Sequence, residues 1–367
     1  MKKMLVCVGI VFFVLMLAAC GGDTESTADV NGEANGNNGI NGMNEQNEGN
    51  AENEANGNEN DGQQADETLE LRLAENHPDD YPTTIGNNEF ARLVEEKTDG
   101  RIQIDVYAGG TLGDERSVIE QVQLGSIELA RVNATPLTEF SDDIGVLAMP
   151  YLFESEEHMW NVLNGEIGDE LLQTLESSNM RGLAFYDSGT RSFYNSERPV
   201  ETPEDMEGLR IRVQESQLLV DMVEAFGASA NPMAFEEVYS ALETGVIDGA
   251  ENNLPSYYTT SHYEVANYYT FNRHTTVPEV LMVSTHTWDE LSEEDQQIFL
   301  EAARESVDVQ REAWAELEEE SKAIIEEHGN EFIEIDDIEP WREAVEPLYE
   351  EYGAQFQQWI KRIEQES

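Results

Sequence analysis

The sequence has 367 residues, of which 20 are Lys or Arg and 77 are Asp or Glu, so its formal net charge is −57. This charge excludes proteins that bind nucleic acids or anionic membrane surfaces, because those need clustered basic residues to neutralise phosphates. A strongly acidic surface also keeps copies of a protein apart. We therefore expect a soluble monomer with no nucleic-acid partner.

The first twenty residues have the features of a secretory signal. Lys2 and Lys3 precede the apolar run Met4–Ala19, and the small residues that end this run lead directly into Cys20. A charged start, a short apolar stretch and small residues before a cleavage site are typical of export signals. The run is also shorter than the roughly 20 residues of a membrane span. We expect residues 1–19 to be a cleaved signal peptide.

Cys20 is predicted to carry a lipid. The string Leu-Ala-Ala-Cys resembles a lipobox, the site at which bacterial lipoproteins are diacylated on cysteine and cut just before it. The alternative is a plain signal peptide with an incidental cysteine. Cys7, the other cysteine, falls in the segment to be removed, so no internal disulfide is expected. Because two acyl chains anchor a protein stably, we expect an extracytoplasmic protein tethered to the cell membrane.

Residues 20–68 are predicted to form this lipidated cysteine and a flexible linker. The segment from Gly21 to Thr68 is rich in Asn, Gly and Glu, and contains twelve acidic residues but no Lys, Arg or aromatic residue. Such a composition buries too little apolar surface to offset chain entropy. A Gly-rich coil of this length has a reach of roughly 35–40 Å, which would hold a folded domain away from the lipid surface. The alternative is low-complexity sequence without a role.

From Leu69 onward the sequence alternates between strand and helix patterns. A period of two residues indicates half-buried strands, and a period near 3.6 indicates helices. Together the patterns favour an α/β fold with helices on both faces of its sheets. The predicted elements, in chain order, are a strand at Leu69–Ala74, a helix at Asn87–Thr98, a strand at Ile102–Tyr107, a helix at Glu115–Gln123, strands at Ala184–Tyr186 and Leu209–Val213, helices at Leu218–Phe226 and Phe235–Thr244, a strand at Leu281–Ser284 and a long helix at Ser292–His328.

No catalytic, cofactor or metal motif stands out. The sequence has no G-x-S-x-G, no H-E-x-x-H and no phosphate-binding Gly-rich loop. Its six histidines lack the i, i+4 spacing of metal ligands, and its acidic runs are typical of solvated helix faces. We therefore expect no enzyme, no cofactor and no metal.

Arginines within apolar or neutral strings are the clearest candidate binding residues. Arg191 lies in Ser-Gly-Thr-Arg-Ser-Phe, and strand alternation places Arg210 and Arg212 on one face. A guanidinium offers a planar fork of donors that matches a carboxylate. Spacing alone favours a structural ion pair over a ligand clamp for each of them, because acidic residues are abundant in this chain.

Nearly everything from Leu69 to the C-terminus resembles the substrate-binding subunit of TRAP (tripartite ATP-independent periplasmic) transporters. Any one of the matching strings would be a weak signal, but five occur in the family's order. They are GGTLGDER (109–116), MPYLF (149–153), TPEDMEGLRIRV (202–213), NPMAFEEVY (231–239) and GVIDGAENN (245–253).

The resemblance implies a two-lobed fold like that of periplasmic binding proteins, with a hinge cleft and a long late helix. Residues 69–188 and about 278–317 are expected to form the first lobe. Residues 189–277 and about 318–367 are expected to form the second. The lobes are expected to close over a small organic acid, which membrane subunits of the transporter then import.

The resemblance also implies which residues bind the ligand. Arg212 matches the family arginine that pairs with the ligand carboxylate, and Arg191 matches a second arginine about 20 residues earlier. Asn133 stands where some sialate-binding relatives carry Glu, which argues against sialate. The other candidates that match family positions or share the same strings are Glu75, Asn76, His77, Met233, Phe235, Asn252 and His274.

The polar residues around the predicted cleft favour a hydroxylated acid. The loop at residues 75–81 and the amides of Asn133, Asn252 and Asn253 offer many hydrogen-bonding groups. We therefore favour a sugar acid such as a hexuronate over a four-carbon dicarboxylate. Three other classes remain open at this point: an exported lipoprotein enzyme, the receptor of an ATP-driven importer or sensor kinase, and a structural surface protein.

Overall fold

A computed structural model describes residues 68–366 of the chain. The predicted signal peptide, Cys20 and the predicted linker up to residue 67 lie outside the described residues. No helix within residues 68–366 is long and apolar enough to cross a membrane. The same residues contain no cluster of three or more His, Cys, Asp or Glu side chains suited to a metal ion.

The described residues form two mixed α/β sheets. The strands are β1 (Leu69–Ala74), β2 (Ile102–Tyr107), β3 (Leu129–Asn133), β4 (Met180–Tyr186), β5 (Arg191–Asn195), β6 (Arg210–Val213), β7 (Ser229–Pro232), β8 (Gly249–Asn252), β9 (Tyr268–Thr275), β10 (Glu279–Ser284) and β11 (Glu331–Glu334). The first sheet has the order β2-β1-β3-β10-β4, and the second has the order β11-β9-β5-β8-β6-β7. The predicted α/β fold class is thus confirmed.

Helices cover both sheets. They are α1 (Pro82–Lys97), α2 (Glu115–Gln123), α3 (Ala134–Leu137), α4 (Glu156–Leu163), α5 (Glu166–Thr174), α6 (Gln217–Ala225), α7 (Val238–Glu243), α8 (Leu254–Thr259), α9 (His262–Val265), α10 (Thr285–Glu290), α11 (Glu293–His328), α12 (Glu339–Glu351) and α13 (Gly353–Ile363). The long late helix predicted from the sequence is α11, whose first turn is capped by the side chain of Ser292.

We refer to the first sheet with its helices as lobe 1 and to the second as lobe 2. The chain passes from the first sheet to the second between β4 and β5, at residues 187–190, and returns between β9 and β10, at residues 276–278. The lobe boundaries near 188/189 and 277/278 stay predictions. Helix α11 packs against α1 of lobe 1 and also against α8 of lobe 2.

The last two helices divide between the lobes. Trp341 of α12 is buried in a core with residues of β6 and α6. Phe356 and Trp359 of α13 are instead buried in the core of lobe 1, and Trp359 Nε1 donates to Asp143 Oδ1 at 2.7 Å. The predicted assignment of 318–367 to the second lobe therefore does not describe α13. This helix has an apolar face that lobe 1 covers.

Candidate ligand-binding site

The candidate residues gather where strands of the two sheets end. Glu75 follows β1 and Asn133 ends β3, and these strands run parallel in lobe 1. Arg212 lies in β6 and Asn252 ends β8, which run parallel in lobe 2. Ligands of open α/β sheets bind outside the carboxyl ends of parallel strands. We therefore take the space between these strand ends, with one lobe on each side, as the candidate cleft.

Side chains of the two lobes touch across this cleft. Tyr81, just before α1, places its hydroxyl 2.8 Å from Ser256 Oγ in α8. The ring of His77 stacks on Tyr81 at 3.8 Å and meets Phe235 of lobe 2 edge-on at 5.2 Å between centroids. Burial lowers the pKa of His77 to about 4, so the ring is neutral at pH 7. These aromatic rings form an apolar wall of the cleft.

Arg212 carries a buried charge that no carboxylate of the described residues contacts directly. It is 3 % exposed, and its Nε and Nη2 both donate to the backbone oxygen of Met233, at 3.0 and 2.8 Å. Within the described residues it forms no ion pair, unlike the other buried arginines, Arg131 and Arg191. Burial lowers the pKa of Arg212 below its usual value, because the charged form is poorly solvated there. Its Nη1 donates to no acceptor within the described residues.

Arg191 is neutralised within lobe 2. Its Nε and Nη2 donate to the two carboxylate oxygens of Glu251 at 2.5 and 2.8 Å, and Nη1 donates to Asn252 Oδ1 at 2.9 Å. Burial alone would raise the pKa of Glu251, but Arg191 and His274 together lower the pKa to about 2. Arg191 thus belongs to a structural ion pair and also contacts Asn252, a candidate ligand-binding residue.

His274 supports this pair from behind. Its ring stacks on Phe193 at 4.4 Å, and its Nε2 lies 3.5 Å from Glu251 Oε2. The side chain is completely buried in lobe 2. The structure therefore places His274 beside Glu251 rather than with the residues that meet across the cleft.

A third buried arginine, which the sequence analysis did not single out, organises lobe 1. Arg131 Nε donates to Glu75 Oε2 at 2.8 Å, and Nη1 donates to Glu279 Oε2 at 2.6 Å. Its Nη2 donates to Asn76 Oδ1. Arg131 lies between the apolar residues Ala130 and Val132 of the fully buried strand β3. A charge in such a strand is a signal that the sequence did contain.

Asn133 differs from the other candidate amides because its own lobe occupies it. Its Oδ1 accepts from the backbone of Thr135 at 3.0 Å and its Nδ2 donates to Glu279 Oε1 at 2.9 Å. By contrast, the Nδ2 groups of Asn76 and Asn252 make no hydrogen bond within the described residues, although both Oδ1 atoms accept from arginine. These two amides are therefore the better candidates for contacting a ligand.

Glu115 is a second residue that the sequence analysis missed. Its Oε1 accepts from the backbone N–H of Asn133 at 2.8 Å and lies 3.7 Å from Arg131 Nη1, and its side chain is 12 % exposed. Burial raises the pKa of Glu115 to about 8, and the nearby carboxylates of Glu279 and Glu236 add to the effect. At pH 7 this carboxyl is therefore largely protonated and able to donate a hydrogen bond.

We expect the substitution Glu115→Gln to remove a pH-dependent loss of stability. Because the folded protein holds a proton that the unfolded chain releases above its ordinary pKa, ionisation destabilises the wild type as pH rises from about 4.5 to about 8. The variant keeps the oxygen that accepts from Asn133 but cannot ionise. Its stability relative to wild type, measured by urea unfolding, should therefore rise with pH by up to about 1.4 kcal/mol per pH unit.

Glu120→Gln is the matched control, because Glu120 lies on the same helix and its side chain is 54 % exposed. Its stability relative to wild type should stay nearly constant over the same range. A Glu115→Gln curve parallel to that of the control would contradict the raised pKa.

Comparison with known proteins shows the family to which the chain belongs. The sequence model of the family described as "Bacterial extracellular solute-binding protein, family 7" matches residues 73–355. A curated solute-binding protein of Chromohalobacter salexigens is 42% identical over 276 residues, which cover 75% of this chain and 82% of that protein.

Solved structures of TRAP periplasmic solute-binding proteins share the fold. The structure from Chromohalobacter salexigens with bound D-glucuronate has a TM-score of 0.79 and 39% identity, and the match covers 81% of this chain and 100% of that chain. The structure from Sulfitobacter sp. NAS-14.1 with bound β-D-galacturonate has a TM-score of 0.77 and 40% identity, with coverage of 80% and 97%.

Proposed function

The chain belongs to the bacterial extracellular solute-binding proteins of family 7, the receptors of TRAP transporters, and we propose that its own ligand is a hexuronate. The family consists of extracytoplasmic transport receptors. The expectation that the chain is not an enzyme is therefore confirmed, and a lipoprotein hydrolase is excluded. The proposal concerns the ligand, the residues that bind it and the attachment to the membrane.

The observation that carries the proposal is the uncompensated charge of Arg212. Leaving a charge buried without a partner is costly, and an anionic ligand removes that cost when it binds. Nε and Nη2 already donate to the oxygen of Met233. Nη1 and the second hydrogen of Nη2 then form the parallel fork that matches the two oxygens of a carboxylate. We assign the ligand carboxylate to this edge.

The distribution of charge between the lobes favours one orientation of the bound ligand. Near the candidate site, lobe 2 buries two guanidinium groups, those of Arg191 and Arg212, but one carboxylate, that of Glu251, which pairs with Arg191. Lobe 1 places Glu75, Glu279 and the protonated Glu115 around the single guanidinium of Arg131. The anionic end of a ligand is favoured at lobe 2, and an uncharged, hydroxylated end is favoured at lobe 1.

This polarity separates hexuronates from four-carbon dicarboxylates. A hexuronate has one carboxylate, for Arg212, and several hydroxyls that can donate to acidic groups and accept from amides. A dicarboxylate would bring its second charge towards the acidic side of the cleft, where like charges repel. Related TRAP receptors have been solved with D-glucuronate and β-D-galacturonate bound, which supports the same ligand class here.

We expect D-glucuronate or D-galacturonate to bind the purified protein and raise its melting temperature. A ligand present at 100 times its dissociation constant stabilises a protein by about 2.7 kcal/mol. D-glucose lacks the carboxylate and succinate lacks the hydroxylated end, so neither should shift the transition at equal concentration. The melting temperature is measured with each compound, and the affinity of every compound that raises it is then measured by calorimetry. Tight binding of succinate or malate without either uronate would replace this ligand class by the dicarboxylates.

Arg212→Met should abolish most of the affinity without loss of stability. Truncating one partner of a buried charge pair costs about 2–5 kcal/mol of binding free energy, or roughly 30-fold to several-thousand-fold in affinity. The unliganded protein should tolerate the change, since it removes an unpaired buried charge. Arg212→Lys should also bind weakly, because an ammonium group cannot form the bidentate pair. Calorimetric affinity and melting temperature are measured for each variant.

Arg210→Met is the control on the same strand. Arg210 pairs with Asp248, and its side chain is 45 % exposed, so its loss should leave affinity unchanged. Arg191→Met should instead lower the stability of the protein, because it leaves Glu251 as a buried charge without a partner. An Arg212→Met protein that is destabilised but binds normally would assign the clamp elsewhere.

The remaining elements of the proposal concern the whole receptor. We place the hinge of closure at the two crossings, 187–190 and 276–278, with α11 spanning the lobes. We also propose that Cys20 is lipidated and that residues 21–68 act as the spacer, so that the receptor stays near the membrane subunits of a TRAP transporter. The sequence of the signal and lipobox supports this part of the proposal.

Cys20→Ser should release the protein from membranes. Without the acceptor thiol no acyl chains are attached, and the acidic chain has no basic cluster that could hold it on anionic lipids. Expression of the full chain followed by fractionation of membranes and medium measures the change, and Cys7→Ser serves as the control that should remain membrane-bound. Retention of Cys20→Ser on membranes would argue for an uncleaved signal anchor.

A further inference from the structure

The two lobes carry the same three-residue string at equivalent strand ends. Ala74-Glu75-Asn76 lies at the carboxyl end of β1, and Ala250-Glu251-Asn252 lies at the carboxyl end of β8. In each lobe the glutamate is completely or almost completely buried. In each lobe a buried arginine on a neighbouring strand contacts both the glutamate and the asparagine.

Strand register explains how the arginine reaches both partners. In lobe 1, β1 and β3 are parallel and Ala74 pairs with Ala130, so the next residue, Arg131, lies beside the end of β1. In lobe 2, β5 and β8 are antiparallel and Ser192 pairs with Asn252, so Arg191 lies beside the end of β8. The two lobes have thus arrived at the same contact set by different strand directions.

The chemistry of arginine fixes how each asparagine is turned. A guanidinium has donors and no acceptor, so the amide group that faces it must be the oxygen. Arg131 Nη2 donates to Asn76 Oδ1, and Asn76 Nδ2 is therefore turned away from Arg131. This Nδ2 makes no hydrogen bond within the described residues, and Asn76 is partly exposed at the cleft between the lobes.

We propose that Arg131 is a positioning residue, which holds the amide of Asn76 so that lobe 1 offers a hydrogen-bond donor to the ligand. Two buried carboxylates hold Arg131 in turn, since Glu75 and Glu279 both accept from it. The guanidinium therefore has no freedom to release Asn76 Oδ1. This inference rests on the proposed function, in which the acceptor on the ligand is a hydroxyl or ring oxygen of the hexuronate.

The device matters for selectivity because an amide that could rotate would accept as readily as it donates. A fixed Nδ2 favours ligands that place an oxygen acceptor at this point and disfavours ligands that place a lone hydrogen-bond donor there. Asn76 is thereby matched to the opposite end of the ligand from the carboxylate that Arg212 binds.

Asn76→Asp tests the direction of the amide. The new carboxylate keeps an oxygen for Arg131 and has nearly the same shape, so the fold should be preserved. It replaces the donor by an acceptor, and we expect the affinity for D-glucuronate or D-galacturonate, measured by calorimetry, to fall at least about tenfold. Asn76→Ala should show a comparable loss. Unchanged or improved affinity of Asn76→Asp would mean that the oxygen faces the ligand, and would overturn the proposal.

Asn164→Asp controls for the added negative charge, because Asn164 is an exposed residue of lobe 1 at the end of α4. Its affinity should equal that of wild type. If this variant lost as much affinity as Asn76→Asp, the effect would be one of net charge and the proposal would be overturned.

A double-mutant cycle tests the role of Arg131. Arg131→Lys keeps a positive charge for Glu75 and Glu279 but loses the planar fork. If Arg131 acts through Asn76, this change should weaken binding about tenfold in the wild-type chain and have little further effect in Asn76→Ala. Equal losses in both backgrounds would show a general structural role and contradict positioning. Melting temperatures report separately whether each variant folds.

The same variants show whether a failure lies in the positioning role of Arg131 or in the proposed ligand class. All affinities are measured in parallel with succinate. If wild type binds succinate and neither uronate, the hexuronate proposal fails, and the cycle on succinate still decides whether Arg131 acts through Asn76. If wild type binds a uronate and the cycle shows no coupling, the ligand class stands and the positioning role is refuted.

Discussion

The proposed binding site depends on one constraint, which is that a buried guanidinium without a carboxylate partner needs an anion. Arg212 lies in a strand, its side chain is 3 % exposed, and a backbone oxygen accepts from one edge of its fork. A backbone oxygen is a partial charge and cannot neutralise the arginine. In the proposed function, the free energy lost on burying Arg212 is recovered when the ligand carboxylate binds, so that one interaction supplies both affinity and selection for an anion.

That constraint explains why the other buried charges are paired so completely. Anions compete for Arg212, and a chain of net charge −57 supplies many of them. Arg191 pairs with Glu251, and Arg131 pairs with both Glu75 and Glu279. Glu115 is largely protonated at pH 7. These four acidic groups are thus already engaged or largely neutral, which in the proposed function leaves Arg212 open to an outside carboxylate.

Much of the fold could be read from sequence periodicity, and the departures have local causes. The bounds of β1 and β2 agree with the prediction, because alternation in Leu69–Ala74 and Ile102–Tyr107 reflects one buried face. The helix predicted at Phe235–Thr244 is instead a 3₁₀ turn at Phe235–Glu237 followed by α7. The affiliation of α13 with lobe 1 could not be predicted, since its apolar face specifies burial but not the partner.

The sequence could predict only those site residues that lie in a recognisable local string. The family resemblance indicated Arg212, Arg191 and Asn252, but Arg131 lies 56 residues from Glu75 and 148 from Glu279, and no local pattern joins them.

The cost of such pairs indicates why they are present. Replacing a buried ion pair by apolar residues of similar volume is often neutral or stabilising, so stability alone does not require Arg131. An apolar side chain at this position would fill the same space, but it could not dictate which end of the Asn76 amide faces the cleft. Arg131 and its carboxylates are therefore better explained by the orientation they impose than by the stability they add.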